Sequence, residues 1–455
     1  MRGRSTPVSK RQRATLLTSV VAVSGLVTGQ FATAATTGAT TTRVSVAFDG
    51  SQLRNPSGIP IVSGDGGFVA FSSRASKIVD GDTNGLTDVF VWDRDTGTIE
   101  RVSVSSAGVE ADGTSTPTSI SPDGRFVAFN SDAPHLVEND GVPTNLEGAL
   151  DAFVHDRDTG ETERISVSTA GEPAQFAPSF GGEITPDGRF VAFVSAAGNL
   201  DPLDTDDTYD IFVRDRELGT TEMVSLRATG DETRLMTLFP SISADGRFVA
   251  FDANDELTPD DTNQAADVFV RDRLLGTTTL VSARTDGSVG RKGGVDPEIT
   301  PDGRFVLFLS GSRLAPEDTN RFGDAYVRDL QTGETRLVSV THRGRPGNGS
   351  SFPSDISADG RYVLFVSNAT NIVRNDTNDE FDHFVYDLDD GTVVRVNVNN
   401  RGRQARGDKS FNLLSSISDD GAWVAFESSA HNLVPNDTNN RYDIFLRGPL
   451  FPSAP

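Results

Sequence analysis

Six times along this 455-residue chain, an Asp is followed two residues later by Asn or Asp and six residues later by a second Asp. The triplets are Asp82/Asn84/Asp88, Asp204/Asp206/Asp210, Asp261/Asn263/Asp267, Asp318/Asn320/Asp324, Asp376/Asn378/Asp382 and Asp437/Asn439/Asp443. Two carboxylates and an amide in a short loop offer a hard cation such as Ca2+ several of the roughly 6 to 8 oxygens it takes, with carbonyls and water completing the shell. A plainer role is open to the same residues, because Asp and Asn side chains bond nearby backbone amides in Asx turns without any metal. The likeness to an EF-hand loop is superficial. Asp93, Asp215, Asp272, Asp329 and Asp387 stand where an EF-hand keeps its bidentate Glu. About five residues of strand, at about 3.3 Å each, put them roughly 16 Å from the second Asp.

Other constellations that could do chemistry are sparse. The histidines are His135, His155, His342, His383 and His431, and His155 and His383 fall in strand-like runs where packing or surface roles suit them. There is no Gly-x-Ser-x-Gly nucleophile elbow, and the absence of cysteine excludes thiol chemistry, thiolate metal sites and disulfides. A pair of carboxylates for glycoside hydrolysis stays open, since their separation is invisible in sequence. The carboxylates of the triplets follow a repeat, however, whereas a catalytic pair breaks one, so the expectation is of a protein that binds rather than catalyses.

The elements that position these residues are themselves repeated. Asp-Gly-x-aromatic recurs seven times, beginning at Asp65, Asp123, Asp187, Asp245, Asp302, Asp359 and Asp420, at intervals of 57 to 64 residues. Each copy reads as four short strands. In the fourth, Pro240 to Ser243 leads through the Asp245-Gly246 turn to Arg247–Phe251, then through a polar loop to Asp267–Arg271 and a turn to Thr278–Ser282. Asp-Gly between two apolar runs is a hairpin signal, because both residues tolerate the positive φ of a tight turn. The second strand, Phe-Val-Ala-Phe, is apolar at every position, as a sheet buried on both faces requires. The pattern predicts an all-β, seven-bladed β-propeller of four-stranded antiparallel blades. The last copy lacks its fourth strand, while Thr42-Arg43-Val44-Ser45 near the start matches the fourth strands Arg101-Val102-Ser103 and Arg164-Ile165-Ser166. The N-terminal strand is therefore expected to complete the last blade, closing the ring and leaving no raw sheet edge.

Ile-Ser-Ala-Asp-Gly-Arg-Phe-Val-Ala-Phe, ending at Phe251, followed by Asp267-Val-Phe-Val-Arg-Asp272, resembles the PD40 (WD40-like) repeat of TolB-like propellers over residues 42 to 447. The resemblance implies the fold, and in such repeats an Asp that caps the third strand needs no metal. TolB has six blades behind an N-terminal α/β domain, features this sequence does not share, so its role in an envelope complex transfers weakly.

In such blades the tight turns lie on one face, and the second-to-third loops and blade-to-blade connections on the other. The long-loop face is the expected binding surface, since loops on a rigid scaffold carry binding. There the Asp triplets meet basic connections such as Arg343, Arg345, Arg401 and Arg403.

The N-terminus opens with Arg2, Arg4, Lys10, Arg11 and Arg13, continues with an apolar segment and reaches Ala32-Thr33-Ala34. Residues 1–35 are thus expected to be a signal peptide, with the propeller at 36–447 and a short tail at 448–455. Without the five basic residues of that leader, 36 Lys and Arg face 65 Asp and Glu, a formal charge of −29. Such a balance repels nucleic acid and anionic membranes. The expectation is a secreted monomer that binds a protein or cell-envelope glycan, with Ca2+ at the Asp triplets as the alternative to metal-free Asx turns. The alternative is a glycoside- or lactone-hydrolysing propeller that uses carboxylates at its central channel.

Overall fold

The computed structural model describes residues 38–137, 150–206, 208–231, 233, 237–408 and 414–451. The expected leader lies outside them, as do residues 138–149, between the second and third strands of blade 2. Seven four-stranded antiparallel sheets follow one another. Blades 1 to 6 span 57–101, 115–164, 179–223, 237–280, 295–337 and 351–395. Blade 7 is built from Ser415–Ile417, Val424–Ser428 and Asp443–Gly448, with Thr40–Arg43 as its fourth strand. That last strand pairs Arg43 with Phe445 and Thr40 with Gly448, so the two ends of the chain close the ring as expected. The tail is partly drawn into the fold: Leu450 is buried and the Phe451 ring stacks on Tyr362 at 4.4 Å.

Apolar residues at every position of the second and third strands serve two seams at once. In blade 1, Val69, Phe71 and Phe90 pack toward blade 7, while Ala70, Val89 and Val91 pack toward Phe129 and Phe153 of blade 2. Large rings on one face of a blade thus meet small and β-branched residues on the next, and seven such clusters make up the core.

The Asp-Gly turn is fixed by this stacking as well as by its own geometry. Gly246 has φ +69°, and a Cβ there would stand 2.3 Å from the Phe190 ring of the preceding blade. The same approach occurs at Gly124 on Phe68 and, across the closure, at Gly66 on Trp423. Guanidinium groups fill in around these rings, with Arg189 of the same blade and Arg273 of the next both over Phe190.

The innermost strands of blades 1 to 6 each carry a register shift, as between Phe180 and Glu183 or Pro353 and Asp355. Proline is tolerated here because an innermost strand has an unpaired edge, and a bulge re-aims the side chain that follows it. The residues placed this way are Ile61, Ser119, Glu183, Ser241, Glu298 and Asp355.

Candidate functional site

All six Asp triplets lie where the second-to-third loop enters the third strand, and each residue has a distinct task. The second Asp heads the strand, and one of its oxygens is tied to the fourth strand. Ser103 donates to Asp88 at 2.7 Å, Ser225 to Asp210 at 2.6 Å, Ser282 to Asp267 at 2.5 Å and Ser339 to Asp324 at 2.7 Å. In blade 6, Asn397 donates to Asp382 at 2.6 Å, and in blade 7 Ser45 donates to Asp443. Ser282 lies just past the end of its strand, so what reads in sequence as strand acts as a cap.

The middle residue makes an Asx turn: Oδ1 of Asn84, Asn263 and Asn320 accepts the N–H two residues on, at 2.7 Å each time. Asp206 does the same at 2.8 Å, and Asn439 at 2.9 Å. Asn378 in blade 6 makes the loosest version, its Oδ1 accepting from the Glu380 N–H at 3.5 Å and its amide donating to Asp382 at 3.4 Å. The amide oxygens of Asn84, Asn263, Asn320, Asn378 and Asn439, which the spacing offered to a cation, are thus turned to the backbone, because an N–H lies within reach two residues on. The first Asp and the second oxygen of the last Asp remain to be neutralised.

Here the blades divide. In blade 7 the Arg43 guanidinium stands 2.9 Å from Asp437 and 3.4 Å from Asp443. Arg395 lies 3.6 Å from Asp376 and 3.3 Å from Asp382, and Arg101 lies 3.9 Å from both Asp82 and Asp88. In blade 2, which has none of the six triplets, Arg164 is 3.5 Å from Asp151 at the head of the third strand. These four arginines occupy one register position, opposite Phe445, Phe384, Phe90 and Phe153. The same position in blades 3, 4 and 5 holds Met223, Leu280 and Leu337. Among the described residues no cation pairs with Asp261, Asp267, Asp318 or Asp324. Asp267 and Asp324 are fully buried, and Oδ2 of each has no hydrogen-bond partner. In blade 5, Tyr326 donates to Asp318 at 2.6 Å. In blade 3, ligand oxygens of Asp204, Asp206 and Asp210 lie within 4.8 Å of one another.

Burial raises these carboxyls above their ordinary range. Asp267 is pushed up to about 7 and Asp324 to about 6, and Asp443 also reaches about 6 despite the partial compensation of Arg43. Sequence reasoning used the arginines at the ends of the fourth strands only to align the repeats and missed their pairing with the acids. Their signal is visible, however, as Arg at 43, 101, 164 and 395 against Met or Leu at the other three copies.

The Asp residues at the far end of the third strand belong to another system. Asp215, Asp272, Asp329 and Asp387 pair with the arginine of their own Asp-Gly-Arg turn, at 2.8, 2.6, 2.8 and 2.7 Å. Asp156 pairs with Arg125 at 2.7 Å, and that bond holds its carboxyl down to about 2. The strand histidines are buried, with His155 bonded to Thr162 at 2.8 Å and His383 to Ser415 at 3.1 Å.

A second constellation lines the central channel, a cavity of about 590 Å3. The bulged position carries Ser in blades 2 and 4, and the Ser416 counterpart in blade 7 does the same work: each side chain seals its blade to a neighbour. Ser119 accepts from the Ile184 N–H at 3.0 Å, Ser241 from Ile299 at 2.9 Å and Ser416 from Val62 at 2.6 Å. Blades 3, 5 and 6 place Glu183, Glu298 and Asp355 there instead. Glu183 accepts from the Ile242 N–H at 2.6 Å, Asp355 from Ile417 at 2.8 Å and from Ile356 at 2.7 Å, and Ser241 donates to Glu298 at 3.3 Å. Enclosure by protein raises all three carboxyls, and Glu298 is raised further by the charges of Glu183 and Asp355. These carboxyls break the repeat, and the loop-centred reading of the sequence passed over them. Their signal is the residue before the Ile or Val that ends each innermost strand. On the long-loop face, a pocket of about 560 Å3 is lined by Arg54, Arg74, Glu427 and Arg441.

No protein-family profile matches the chain, and no curated protein matches its sequence. Solved structures match it in fold. An oligogalacturonate lyase in complex with manganese superposes with a TM-score of 0.54 at 14% identity, over 90% of this chain and 92% of that one. Oligogalacturonate lyase from Vibrio parahaemolyticus gives 0.52 at 14% identity, over 90% and 93%. TolB from Acinetobacter baumannii gives 0.38 at 17% identity, over 80% and 76%. Among the described residues no helix is long and apolar enough to cross a membrane. The chain is a seven-bladed, all-β propeller whose fold is similar to that of the oligogalacturonate lyases.

Proposed function

We propose that this protein is a ligand-binding propeller, working outside the cytoplasm after loss of residues 1–35, that receives a cationic or hydroxyl-rich group of a protein or cell-envelope glycan in its central channel. The observation that carries this reading is the set of three carboxyl groups, Glu183, Glu298 and Asp355, at the one channel position where the other blades have Ser or Ile. One oxygen each of Glu183 and Glu298 and both oxygens of Asp355 accept hydrogen bonds that tie the carboxyls into the channel wall and hold them in place for recognition. A second reading, docking through the long-loop face, is favoured by the pocket that holds Arg54, Arg74 and Arg441.

The test is a pull-down with residues 36–455 against envelope and secreted fractions of the producing cell, repeated with Glu298→Gln and with Arg441→Ala. Loss of the captured partner in Glu298→Gln alone supports the channel. Loss in Arg441→Ala alone moves the site to the long-loop face. Turnover of a glycoside that disappears in Glu183→Gln would replace binding with catalysis.

A further inference from the structure

The seam where the ring closes, between blades 7 and 1, is built differently at its long-loop end. Opposite the fifth residue of the second strand, blade 1 has Gly58, where blades 2 to 6 have Thr116, Phe180, Leu238, Val295 and Phe352. In blades 3 and 6 that residue belongs to an aromatic pair, Phe180 with Tyr209 at 5.3 Å between ring centroids and Phe352 with Phe381 at 6.0 Å. Tyr209 and Phe381 each precede the Asp that heads the third strand, and Thr87 holds that place in blade 1. Gly58 and Thr87 therefore line a pocket of about 560 Å3 where those two blades pack rings.

The rim of this pocket is basic in a chain dominated by acid. Arg74 directly follows the second strand, where the other copies have Asp132, Ala196, Asn254, Gly311, Asn368 and Ser429. Arg441 stands two residues before Asp443, where the other triplets have Leu86, Thr208, Ala265, Phe322 and Glu380. Arg54, two residues past the bridge that Gln52 makes with Val46, recurs as Arg291 and Arg406, but in this seam alone does it meet the other two. Three guanidinium groups against the one carboxylate of Glu427 leave the pocket positively charged. Among the described residues none of the three is in an ion pair, and Arg74 alone is engaged, its Nε donating to the Gly85 carbonyl at 2.8 Å. Their backbone is held in place, with the Arg441 N–H donating to Asn439 at 2.9 Å and the Asn55 amide to the Arg74 carbonyl at 3.1 Å. The walls carry the hydroxyls of Ser57, Ser72, Ser73 and Thr87 and no aromatic ring.

We propose that this pocket binds an anionic sugar, whose carboxylate or phosphate is held by Arg54, Arg74 and Arg441 while its hydroxyls meet the Ser and Thr wall. Guanidinium forks match either oxyanion, and the volume falls within the range of small-molecule sites. The inference rests on the second reading above, docking through the long-loop face, and gives that face its ligand class. The channel carboxyls take no part in it.

The experiment is titration calorimetry of the protein with glucuronate, glucose 6-phosphate and glucose, the first two separating a carboxylate from a phosphate as the anchored group. Saturable one-to-one binding of at least one acid is expected, weakened by added NaCl and absent for glucose. Arg441→Ala is expected to weaken it about tenfold or more. Thr87→Tyr, which supplies the ring that blade 3 has, is expected to abolish it, and Arg336→Ala, on the outer strand of blade 5, to leave it unchanged. Binding of neither acid, glucose binding as tightly as the acids, or an equal loss in Arg336→Ala overturns the proposal, as does unchanged binding in a folded Arg441→Ala. Should Thr87→Tyr fail to fold, Arg441→Ala decides alone. The docking reading fails separately, by a partner that is still captured from the envelope fractions by Arg441→Ala.

Discussion

Blades 3 to 5 and the arc formed by blades 6, 7, 1 and 2 are built from one repeat and handle the same buried acids differently. In the second arc an arginine from the fourth strand reaches the acids, as Arg395 does at 3.3 Å from Asp382. In the first arc Leu280 lies opposite Phe269, as Arg395 lies opposite Phe384, and the nearby Asp267 keeps an unpartnered oxygen. The backbone and the capping bond to the second Asp are shared, and the consistent difference between the arcs is the fourth-strand residue opposite the third-strand aromatic ring, Arg in one and Met or Leu in the other.

The largest effect expected from breaking this contrast is in Arg395→Leu, which leaves Asp376 and Asp382 buried without their cation. Removing one partner of a buried pair costs about 3–5 kcal/mol, to be read by urea denaturation. The Asp-Gly turns provide a control that should not distinguish the arcs. Gly246→Ala and Gly124→Ala each force a side chain onto positive φ and onto an aromatic ring of the preceding blade. Both are expected to lose at least about 2 kcal/mol, and unequal losses would mean that the arcs differ in backbone packing as well as in charge.

The pH dependence comes next. Glu183, Glu298 and Asp355 have folded values raised above 4.5, 4.5 and 3.8. The stability linked to them is full below those ordinary values and is lost as pH rises through the folded ones. Asp156, held at about 2, acts in the opposite sense: its contribution is present above 3.8 and is lost as pH falls toward 2. Melting temperature should therefore peak in the mildly acidic range and fall on the alkaline side, and Glu298→Gln should flatten that alkaline limb. The smallest difference is expected between Asn84→Ala and Asn263→Ala. Each loses an Asx turn and a bond to the next connection, at Ala111 or Gly290, for about 1 kcal/mol.

Much of the fold was legible because its signals are local. The Asp-Gly turn, the Phe-Val-Ala-Phe strand and the polar loop recur in order, and the strand boundaries differ by only a few residues from those expected. The fourth strand of copy four, read as Thr278–Ser282, runs from Thr277 to Leu280, because Ser282 turns its hydroxyl to Asp267 instead of continuing the ladder. The candidate sites were legible only in part. The triplets were visible as a spacing, but the arginines that fill some of them lie on another strand. The channel acids stand in innermost strands whose bulges give no sequence period to read.

The sequence by itself determined the number of blades, the order of their strands and the displaced strand that closes the ring, since each follows from a register that repeats along the chain. Tertiary structure decided which acid meets which charge. Gln52 bonds Asp437 across 385 residues, and Glu298 faces Asp355 from another blade. Electrostatic energy depends on distance and burial in space, and neither is carried by spacing in sequence.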